Sequence, residues 1–226
     1  MGVTITAEPE ASTVPEASTV PHPNTVPAAT ATVELVAETT VPTTFGPLVF
    51  RAFRETASGT EHLAISSGTI TSESLVRVHS ECITGEAFGS LKCDCGPQLD
   101  AALALIASEG GTVIYLRGHE GRGIGLGNKL RAYRMQEHGL DTVDANRSLG
   151  LPDDARDYTA AAEILDHLGI HEVHLLTNNP DKIAQLRAHG ITVTERVPLV
   201  VGVQQDNLSY LQTKHTRMGH LLENVG

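Results

Sequence analysis

Three cysteines lie close together in this sequence and could together hold a metal ion. Cys82, Cys93 and Cys95 are the only cysteines of the chain and fall within fourteen residues. Three thiolates can bind one zinc ion and leave its fourth tetrahedral position free for water, as in catalytic zinc sites. Zinc lowers the pKa of bound water from about 15.7 to about 7, so hydroxide becomes available at neutral pH. The cluster therefore indicates a hydrolytic zinc centre.

The three cysteines could also serve purposes other than a catalytic zinc site. The spacing is not the paired C-x2-C pattern of a zinc ribbon, and a buried free cysteine needs no metal because it behaves as a small apolar residue. The odd number of cysteines and the closeness of Cys93 to Cys95 disfavour a disulfide framework. The residues near the cysteines in the sequence are polar, which indicates a polar site and not part of an apolar core. They are Ser80, Glu81, Lys92, Asp94 and Gln98.

A segment rich in glycine and basic residues follows at positions 115–134. It holds five glycines, five bases and one acid, Glu120. Glycines there allow positive φ and close approach of a ligand to the backbone. Arginine side chains and the N–H groups of a helix start suit phosphate oxygens. The pattern is neither a Walker A loop nor a Rossmann fingerprint, and the alternative is a flexible turn followed by a solvated basic helix.

Two shorter groups of polar residues come later in the chain. Asp154 and Arg156 lie two positions apart, at or just before a predicted helix. A carboxylate beside an arginine stays ionised and can orient water or a metal, although a helix-capping acid with a solvated partner is the simpler interpretation. Thr177 and Asn178 follow a predicted strand, at the sheet edge where open α/β folds bind ligands.

The composition is that of an acidic globular protein. The chain has 226 residues, 40% of them hydrophobic, and a formal net charge of −11. No apolar run approaches the roughly 18 residues of a membrane span. The N-terminus has neither the basic region nor the apolar core of a secretory signal, so we expect a cytoplasmic protein. An acidic chain without an aromatic stripe is a poor nucleic-acid binder, and an anionic ligand must be met by a local group of bases.

The first 32 residues differ in composition from the rest. The triplet Thr-Val-Pro recurs at 13–15, 19–21 and 25–27 and again at 40–42. Proline, threonine, alanine and valine without a packing period are typical of a disordered low-complexity tail. We therefore expect a tail over residues 1–32 and a single domain over residues 33–226.

Alternating strand and helix patterns predict an α/β fold, with a largely parallel or mixed sheet flanked by helices and a strand-rich N-terminal part that adds antiparallel strands. Strands are expected at 32–38, 47–54, 62–68, 75–81, 112–116, 171–177 and 191–201. Helices are expected from Gly96-Pro97 to Gly110, with Pro97 at the first position, and at 128–138, 156–168 and 180–189. Asn179 and Pro180 are suited to the N-cap and first position of the last of these helices.

The segments that hold the candidate site residues, taken together, resemble the GTP cyclohydrolase II family. They are RVHSECITGEAFGSLKCDCGPQL, RGHEGRGIGLGNKLRAY, DTVDAN with LGLPDDARDYT, LLTNNPDK, ERVPL and TKHTRMGHLL. The resemblance covers roughly residues 45–222 in the family's order and spacing. Family members often have Asn at position 123, Leu at 127 and Gln at 119, where this chain has Gly, Gly and His.

The resemblance implies a zinc-dependent hydrolase of riboflavin biosynthesis. GTP would lose C8 of its imidazole ring as formate and its terminal phosphates as pyrophosphate, giving 2,5-diamino-6-ribosylamino-4(3H)-pyrimidinone 5′-phosphate. Cys82, Cys93 and Cys95 match the family's zinc ligands, Mg²⁺ is expected with the triphosphate, and a homodimer is expected. The residues implied to line the GTP site are Arg77, Val78, His79, Ser80, Glu81, Gln98, Glu120, Gly121, Arg122, Thr142, Thr177 and Lys182.

The resemblance also implies catalytic roles. Asp154 and Arg156 match the family's acid/base and nucleophile, but a guanidinium stays protonated and is a poor nucleophile. Chemistry therefore favours Arg156 as a clamp on the charge that develops at the α-phosphate, with Asp154 positioning water. Tyr133 matches a tyrosine tied to ring opening, which favours the full reaction. The alternatives are a paralogue that releases pyrophosphate but keeps the formyl group, and a non-catalytic nucleotide-binding module with a structural zinc.

Overall fold

One mixed β-sheet organises the part of the chain that the computed structural model describes, residues 33–222. The predicted tail 1–32 lies outside these residues. Within them the sheet has seven strands, which are β1 (Val33–Thr43), β2 (Gly46–Glu55), β3 (Glu61–Ser67), β4 (Glu73–Ser80), β5 (Gly111–Leu116), β6 (Glu172–Leu176) and β7 (Thr192–Val197).

The order of the strands joins an antiparallel half to a parallel half. The order is β1-β2-β3-β5-β4-β6-β7. β1, β2, β3 and β5 pair antiparallel in that order, whereas β4 pairs parallel with both β5 and β6, and β6 pairs parallel with β7. The predicted mixed sheet, with antiparallel strands from the N-terminal part, is confirmed.

Helices cover both faces of the sheet and its carboxyl edge. They are α1 (Ile83–Glu86), α2 (Cys95–Glu109), α3 (Leu126–Glu137), α4 (Thr142–Ser148), α5 (Thr159–His167), α6 (Pro180–Ala188) and α7 (Leu208–Met218), with a 3₁₀ turn at Gln205–Asn207. None of the helices in residues 33–222 is both long and apolar enough to cross a membrane.

Two apolar layers hold the helices against the sheet. Side chains alternate between the faces of a strand, so Val113 packs in the layer that contains Ile106 of α2, and Ile114 packs in the layer that contains Ile164 of α5 and Leu186 of α6. All five side chains are fully buried. Because each is worth about 1.5–3 kcal/mol when removed from water, these layers fix the sheet and the loops that leave it.

The carboxyl ends of three parallel strands carry the loops of the site. β4 ends at Ser80 beside the first thiol, β5 leads into the Gly/Arg-rich segment, and β6 leads to Thr177 and Asn178. Ligands of open α/β sheets bind at this edge. Thr177 and Asn178 were expected at this edge, and they follow the end of β6.

Several predicted boundaries are wrong for local reasons. The helix expected at 156–168 begins only at Thr159, because Asp157 accepts a hydrogen bond from the Thr159 N–H at 2.7 Å and forms a turn. Pro97 is the third residue of α2 and not the first, since the helix begins at Cys95. The last strand ends at Val197 because Pro198 has no N–H to donate.

Three helices, α1, α4 and α7, were not predicted. α1 has four residues and α4 has seven, which is too short for an apolar period to show. α7 is longer and buries Leu211 and Thr213, and its position is fixed by contacts with residues far along the chain. By contrast, Asn179 caps α6 as predicted, with its side chain accepting from the Asp181 N–H at 3.0 Å.

Candidate metal centre and adjoining cation cavity

The three thiols meet in space at the junction of β4, α1 and α2. Cys82 follows β4, and Cys93 and Cys95 flank the start of α2. Their sulfurs lie within 4.8 Å of one another, and those of Cys82 and Cys93 are 3.6 Å apart. All three cysteines are free, so the disulfide alternative is wrong for this structure. Tetrahedral zinc with Zn–S bonds of about 2.3 Å places its sulfurs about 3.8 Å apart, so the donor set fits zinc.

A glycine keeps the space beside the thiols open. A Cβ built at Gly85 would lie 2.6 Å from the Cys93 sulfur and 3.3 Å from the Cys82 sulfur. Real Cβ atoms do not approach that closely, so a larger residue would displace the sulfurs. Gly85 therefore lets α1 pack directly against the cluster.

A buried lysine supports the first thiol. Lys129 of α3 donates from Nζ to the Cys82 sulfur at 3.1 Å and to Thr84 Oγ1 at 2.7 Å, and it pairs with the Glu120 carboxylate. Hydrogen bonds from Cys93 and Cys95, reinforced by the Lys129 charge, hold the pKa of the Cys82 thiol far below its ordinary value despite burial. Cys82 is therefore a thiolate, the form that binds metal.

The predicted nucleotide ligand Glu120 is engaged within the protein. Its Oε2 accepts from the Ile83 N–H at 2.6 Å and its Oε1 pairs with Lys129. Glu120 thus ties the Gly/Arg-rich segment to the start of α1. In this position its carboxylate supports the thiol cluster through the Ile83 N–H and Lys129.

A second carboxylate, Glu86, organises the other side of the cluster and was missed in the sequence. Glu86 Oε1 lies 2.8 Å from His79 Nε2 and accepts from the Cys82 N–H at 3.0 Å, and Oε2 accepts from Tyr115 Oη at 2.5 Å. Burial lowers the pKa of His79. His79 is therefore held between Glu86 and the stacked Tyr115 ring, and it is not part of the thiol group.

A cavity of about 620 Å³ opens onto the thiols, and we call it the thiol cavity. Besides the cysteines, the predicted site residues that line it are Ser80, Glu81, Gly121, Arg122, Tyr133, Thr142 and Arg156. Burial raises the pKa of Tyr133 to about 12 even though Lys129 opposes the shift, so the phenol is protonated at neutral pH. The cavity therefore combines a metal-binding group with a proton donor.

A second cavity of about 610 Å³ adjoins the first, and arginine and lysine side chains stand on several sides of it, so we call it the cation cavity. The predicted site residues that line it are Arg77, His79, Ser80, Gln98, Arg122, Arg156, Thr177 and Lys182. The residues common to both cavities are Ser80, Cys95, Arg122, Arg156 and Tyr210. One extended ligand can therefore reach from the thiols into the cations.

The cations of this cavity are buried and incompletely satisfied. Arg77 donates to Leu176 O at 2.9 Å and to Gln98 Oε1 at 2.6 Å, and Lys182 donates to Val78 O at 2.5 Å. Burial and the charges of Arg77 and Arg156 hold the pKa of Lys182 well below its ordinary value. Such a concentration of cations in a buried space is suited to an anion.

Two arginine donor atoms on residues that line this cavity lack a partner among the described residues. They are Nε of Arg77 and Nη2 of Arg122, both fully shielded from solvent. Arg122 also has a φ of +67°, in the left-handed region that non-glycine residues rarely adopt. Buried unpaired donors and a strained backbone at one residue are typical of a ligand site.

Asp154 and Arg156 form a close pair at the boundary of the two cavities. Arg156 donates from Nε to Asp154 Oδ1 at 2.9 Å and from Nη2 to Oδ2 at 2.5 Å. Burial opposes ionisation of both groups, but their pairing prevails, so the pKa of Asp154 is lowered and that of Arg156 is raised. Arg156 is thus a permanent cation, whereas Asp154 does not line either cavity.

The structure therefore brings most predicted site residues together, with exceptions. Val78 is a fully buried core side chain and offers only its carbonyl oxygen. Site residues that were not predicted are Glu86, Lys129, Tyr210, Lys214 and His220. Lys129 was noted among the bases of its segment, but no local pattern separates it from the exposed bases beside it.

Comparison with known proteins identifies relatives of this chain. A profile of the family described as GTP cyclohydrolase II matches residues 34–198. The riboflavin biosynthesis protein RibBA of Salinispora arenicola is 57% identical over 196 residues, which are 84% of this chain and 46% of that protein. RibBA of Nocardia farcinica is 55% identical over 188 residues, 82% of this chain and 45% of that protein. The chain thus spans a little under half the length of these relatives.

A solved structure overlaps more weakly. It is RibBX, a two-domain 3,4-dihydroxy-2-butanone 4-phosphate synthase from A. baumannii, at 20% identity and a TM-score of 0.41 over 75% of this chain and 41% of that one. This likeness is too slight to bear on the fold or the site. The family profile, however, spans both the thiols and the paired Asp154 and Arg156, and the chain belongs to the GTP cyclohydrolase II family.

Proposed function

We propose that this domain hydrolyses GTP with release of formate and pyrophosphate, giving 2,5-diamino-6-ribosylamino-4(3H)-pyrimidinone 5′-phosphate in riboflavin biosynthesis. The observation that carries the proposal is the junction of the thiol cavity and the cation cavity at Arg156. A guanine nucleotide with its base at the thiols and its phosphates among the cations presents both reacting ends to suitable groups. Membership of the family and the names of the relatives support the same reaction.

The thiol end is suited to opening the imidazole ring. Zinc held by Cys82, Cys93 and Cys95 supplies Lewis-acid activation of water at neutral pH, the chemistry that hydrolysis at purine C8 requires. Lys129 adds its hydrogen bond and charge to the contacts with Cys93 and Cys95 that favour the Cys82 thiolate. Tyr133 Oη, protonated at neutral pH, can donate its proton to a ring nitrogen as the ring opens.

The cation end is suited to pyrophosphate release. Arg77, Arg122 and Lys182 surround the space with positive charge, and two of their donor atoms are without a partner in residues 33–222. Arg156 stands at the boundary, where the α-phosphate of a bound nucleotide would lie. Its permanent charge favours a clamp that stabilises the developing negative charge and not a nucleophile. Asp154 fixes the guanidinium plane through two hydrogen bonds.

A non-catalytic module with a structural zinc is less well supported. Structural zinc takes four protein ligands, and the group found among the described residues contains three. In the other alternative the reaction stops with the formyl group retained, which we expect if Tyr133 does not donate its proton during ring opening. Both alternatives are separated by measuring the two products independently.

The test is turnover of GTP by the full chain with zinc and Mg²⁺, scoring formate and pyrophosphate separately. Equal release supports the proposal, pyrophosphate without formate supports early arrest, and neither product supports a binding module. Tyr133→Phe provides the internal control. It should lower formate release while pyrophosphate release continues, because Tyr133 lines the thiol cavity alone.

The remaining parts of the proposal concern cofactors and assembly. Mg²⁺ is proposed to enter with the triphosphate, because hard cations bind phosphate oxygens with few protein ligands. A homodimer is proposed from the family resemblance, and a cytoplasmic location is proposed from the composition of the chain. Omitting Mg²⁺ should stop pyrophosphate release, and light scattering should give twice the 24.0 kDa mass of the chain; a monomer mass would reject the dimer.

A further inference from the structure

Helix α7 contributes side chains to the cation cavity although it lies beyond the matched family profile. The profile ends at residue 198, and α7 spans Leu208–Met218. Tyr210 and Lys214, one turn apart on this helix, line the cavity. Side chains from an element outside the matched range therefore complete the wall of the cavity.

Contacts at both ends hold α7 over the cavity. Near its start, Asn207 Nδ2 donates to Gly202 O at 2.7 Å. Near its end, Arg217 donates to Asp144 at 2.9 Å and pairs with Asp141, both at the N-terminal end of α4. Just beyond it, the Leu221 N–H donates to Asn178 O at 2.9 Å. The position of Lys214 is therefore fixed by contacts that do not involve Lys214.

Lys214 joins the polar network of the cavity. Its Nζ donates to Asp94 Oδ1 at 3.1 Å and lies 4.3 Å from the centre of the Tyr210 ring. Asp94 Oδ2 accepts from Gln98 Nε2 at 2.5 Å, and Gln98 Oε1 accepts from Arg77. Lys214 and Arg77 are thus linked across the cavity through Asp94 and Gln98. An ammonium has three N–H donors, so contact with one carboxylate leaves capacity for an anion.

The charges around the cavity are unbalanced. Its cations are Arg77, Arg122, Arg156, Lys182 and Lys214. Asp94 lines the cavity and pairs with Lys214, and Asp154 lies behind it and pairs with Arg156. Three cations are left without a paired carboxylate, and the Lys214 side chain is only 12% exposed. Buried like charges repel, and a ligand with several negative charges relieves the repulsion.

We propose that Lys214 is a phosphate-binding residue, so that the nucleotide site extends onto α7. The inference rests on the proposed function for the identity of the ligand, a guanosine triphosphate, but its chemistry requires only a polyphosphate. Asp94 and the Tyr210 ring hold the ammonium at the wall of the cavity. A phosphate group entering between Lys214 and Lys182 accepts from the free N–H of each.

The test compares binding of inorganic pyrophosphate and guanosine to the full zinc-loaded chain by calorimetry. Lys214→Gln should raise the Kd of pyrophosphate at least about tenfold, the effect of losing one charged hydrogen bond. The Kd of guanosine should not change, because guanosine has no phosphate. Lys214→Arg should restore most of the affinity for pyrophosphate.

Arg131→Gln is the matched control, since it removes one positive charge at an exposed residue that lines neither cavity and does not contact α7. Its pyrophosphate Kd should stay within about twofold of the unchanged chain, because distant charges are screened. Equal losses in both variants would mean that the net charge of the chain matters and not the position of Lys214, and an unchanged Kd in Lys214→Gln would overturn the proposal outright.

Failure of the proposed function gives a different result. If the unchanged chain releases no formate from GTP yet its pyrophosphate binding depends on Lys214, the reaction is wrong and the phosphate site stands. If formate is released and Lys214→Gln binds pyrophosphate normally, the reaction stands and the role of Lys214 is wrong.

Discussion

Lys129 donates a hydrogen bond to the Cys82 sulfur at 3.1 Å from a side chain that is itself buried. The two residues are 47 positions apart, on α3 and after β4. Three thiolates around a divalent cation carry excess negative charge, and Lys129 offsets it from one side. The pair therefore connects the glycine-rich segment to the metal-binding group.

Lys129→Met is expected to weaken zinc binding. The change leaves the Cys82 thiolate and the Glu120 carboxylate buried without their shared cation. Loss of a partner that orients a metal ligand typically costs about 10–100-fold in metal affinity. Competition with a chromophoric chelator measures it. Arg131→Met, an exposed change on the same helix, should leave the affinity as it is; equal affinities in both variants would contradict the role of Lys129.

Gly85→Ala is expected to disturb the thiol cluster. The new Cβ would stand 2.6 Å from the Cys93 sulfur, so the sulfur or α1 must move. Overpacking of this kind costs about 1–3 kcal/mol, and zinc affinity should fall with it. Gly127→Ala is the control, because nothing lies within 4 Å of its Cβ position. That helical change should raise the free energy of unfolding by about 0.5–1 kcal/mol. Normal zinc binding in Gly85→Ala would show that the packing is loose.

Arg156→Lys is expected to separate a clamp from a nucleophile. Lysine keeps the charge but loses the two-point contact with Asp154, so kcat for pyrophosphate release should fall by about 10²-fold. Mass spectrometry after acid quench should find no nucleotide attached to the unchanged chain during turnover. Arg147→Lys, in the exposed Arg147–Asp153 pair, should leave kcat unaltered. A covalent adduct on Arg156 would reject the clamp.

His119 is expected to make the fold sensitive to mild acid. Burial and the charges of Arg156 and Lys182 lower its pKa from 6.5 to about 4. Between pH 6.5 and pH 4, His119 is protonated in the unfolded chain but not in the folded chain. The free energy of unfolding therefore falls as the pH drops from 6.5 toward 4, and the loss is complete below pH 4.

His119→Gln removes this contribution and tests it. By linkage, the unchanged chain should lose about 2 kcal/mol more than the variant when urea unfolding is measured near pH 5 instead of pH 7. The other titrating groups contribute equally to the pH dependence of stability in both proteins, so their contributions cancel in the comparison. Parallel losses of stability in the two proteins would mean that His119 titrates normally in the fold.

The sheet could be predicted from sequence because its signals are local. β-branched runs bounded by glycine and proline gave six of the strands within a few residues, and Asn179 and Pro180 gave the start of α6. The docking of α7 could not be predicted, because Arg217 at its end pairs with Asp141 and Asp144. Its stability depends on residues more than 70 positions away.

For the site as well, local signals could be predicted from the sequence and contacts between distant residues could not. The cysteines were predicted as a group because their residue type and spacing are enough to suggest a metal. The residues that support them were not, since Lys214 meets Asp94 across 120 positions and Lys129 meets Cys82 across 47. Such contacts arise from the order of the strands, which no local pattern reveals. The family resemblance implied Arg77 and Lys182 as site residues, and both side chains line the cation cavity because β4 and β6 are neighbours in the sheet.

Zinc content and formate release, measured together on the unchanged chain and on Cys93→Ser, test the central claim most directly. The account predicts one zinc per unchanged chain, and in the variant a loss of zinc together with a loss of formate, since one of three ligands is removed. Formate release at the original rate from a zinc-free Cys93→Ser protein would contradict it.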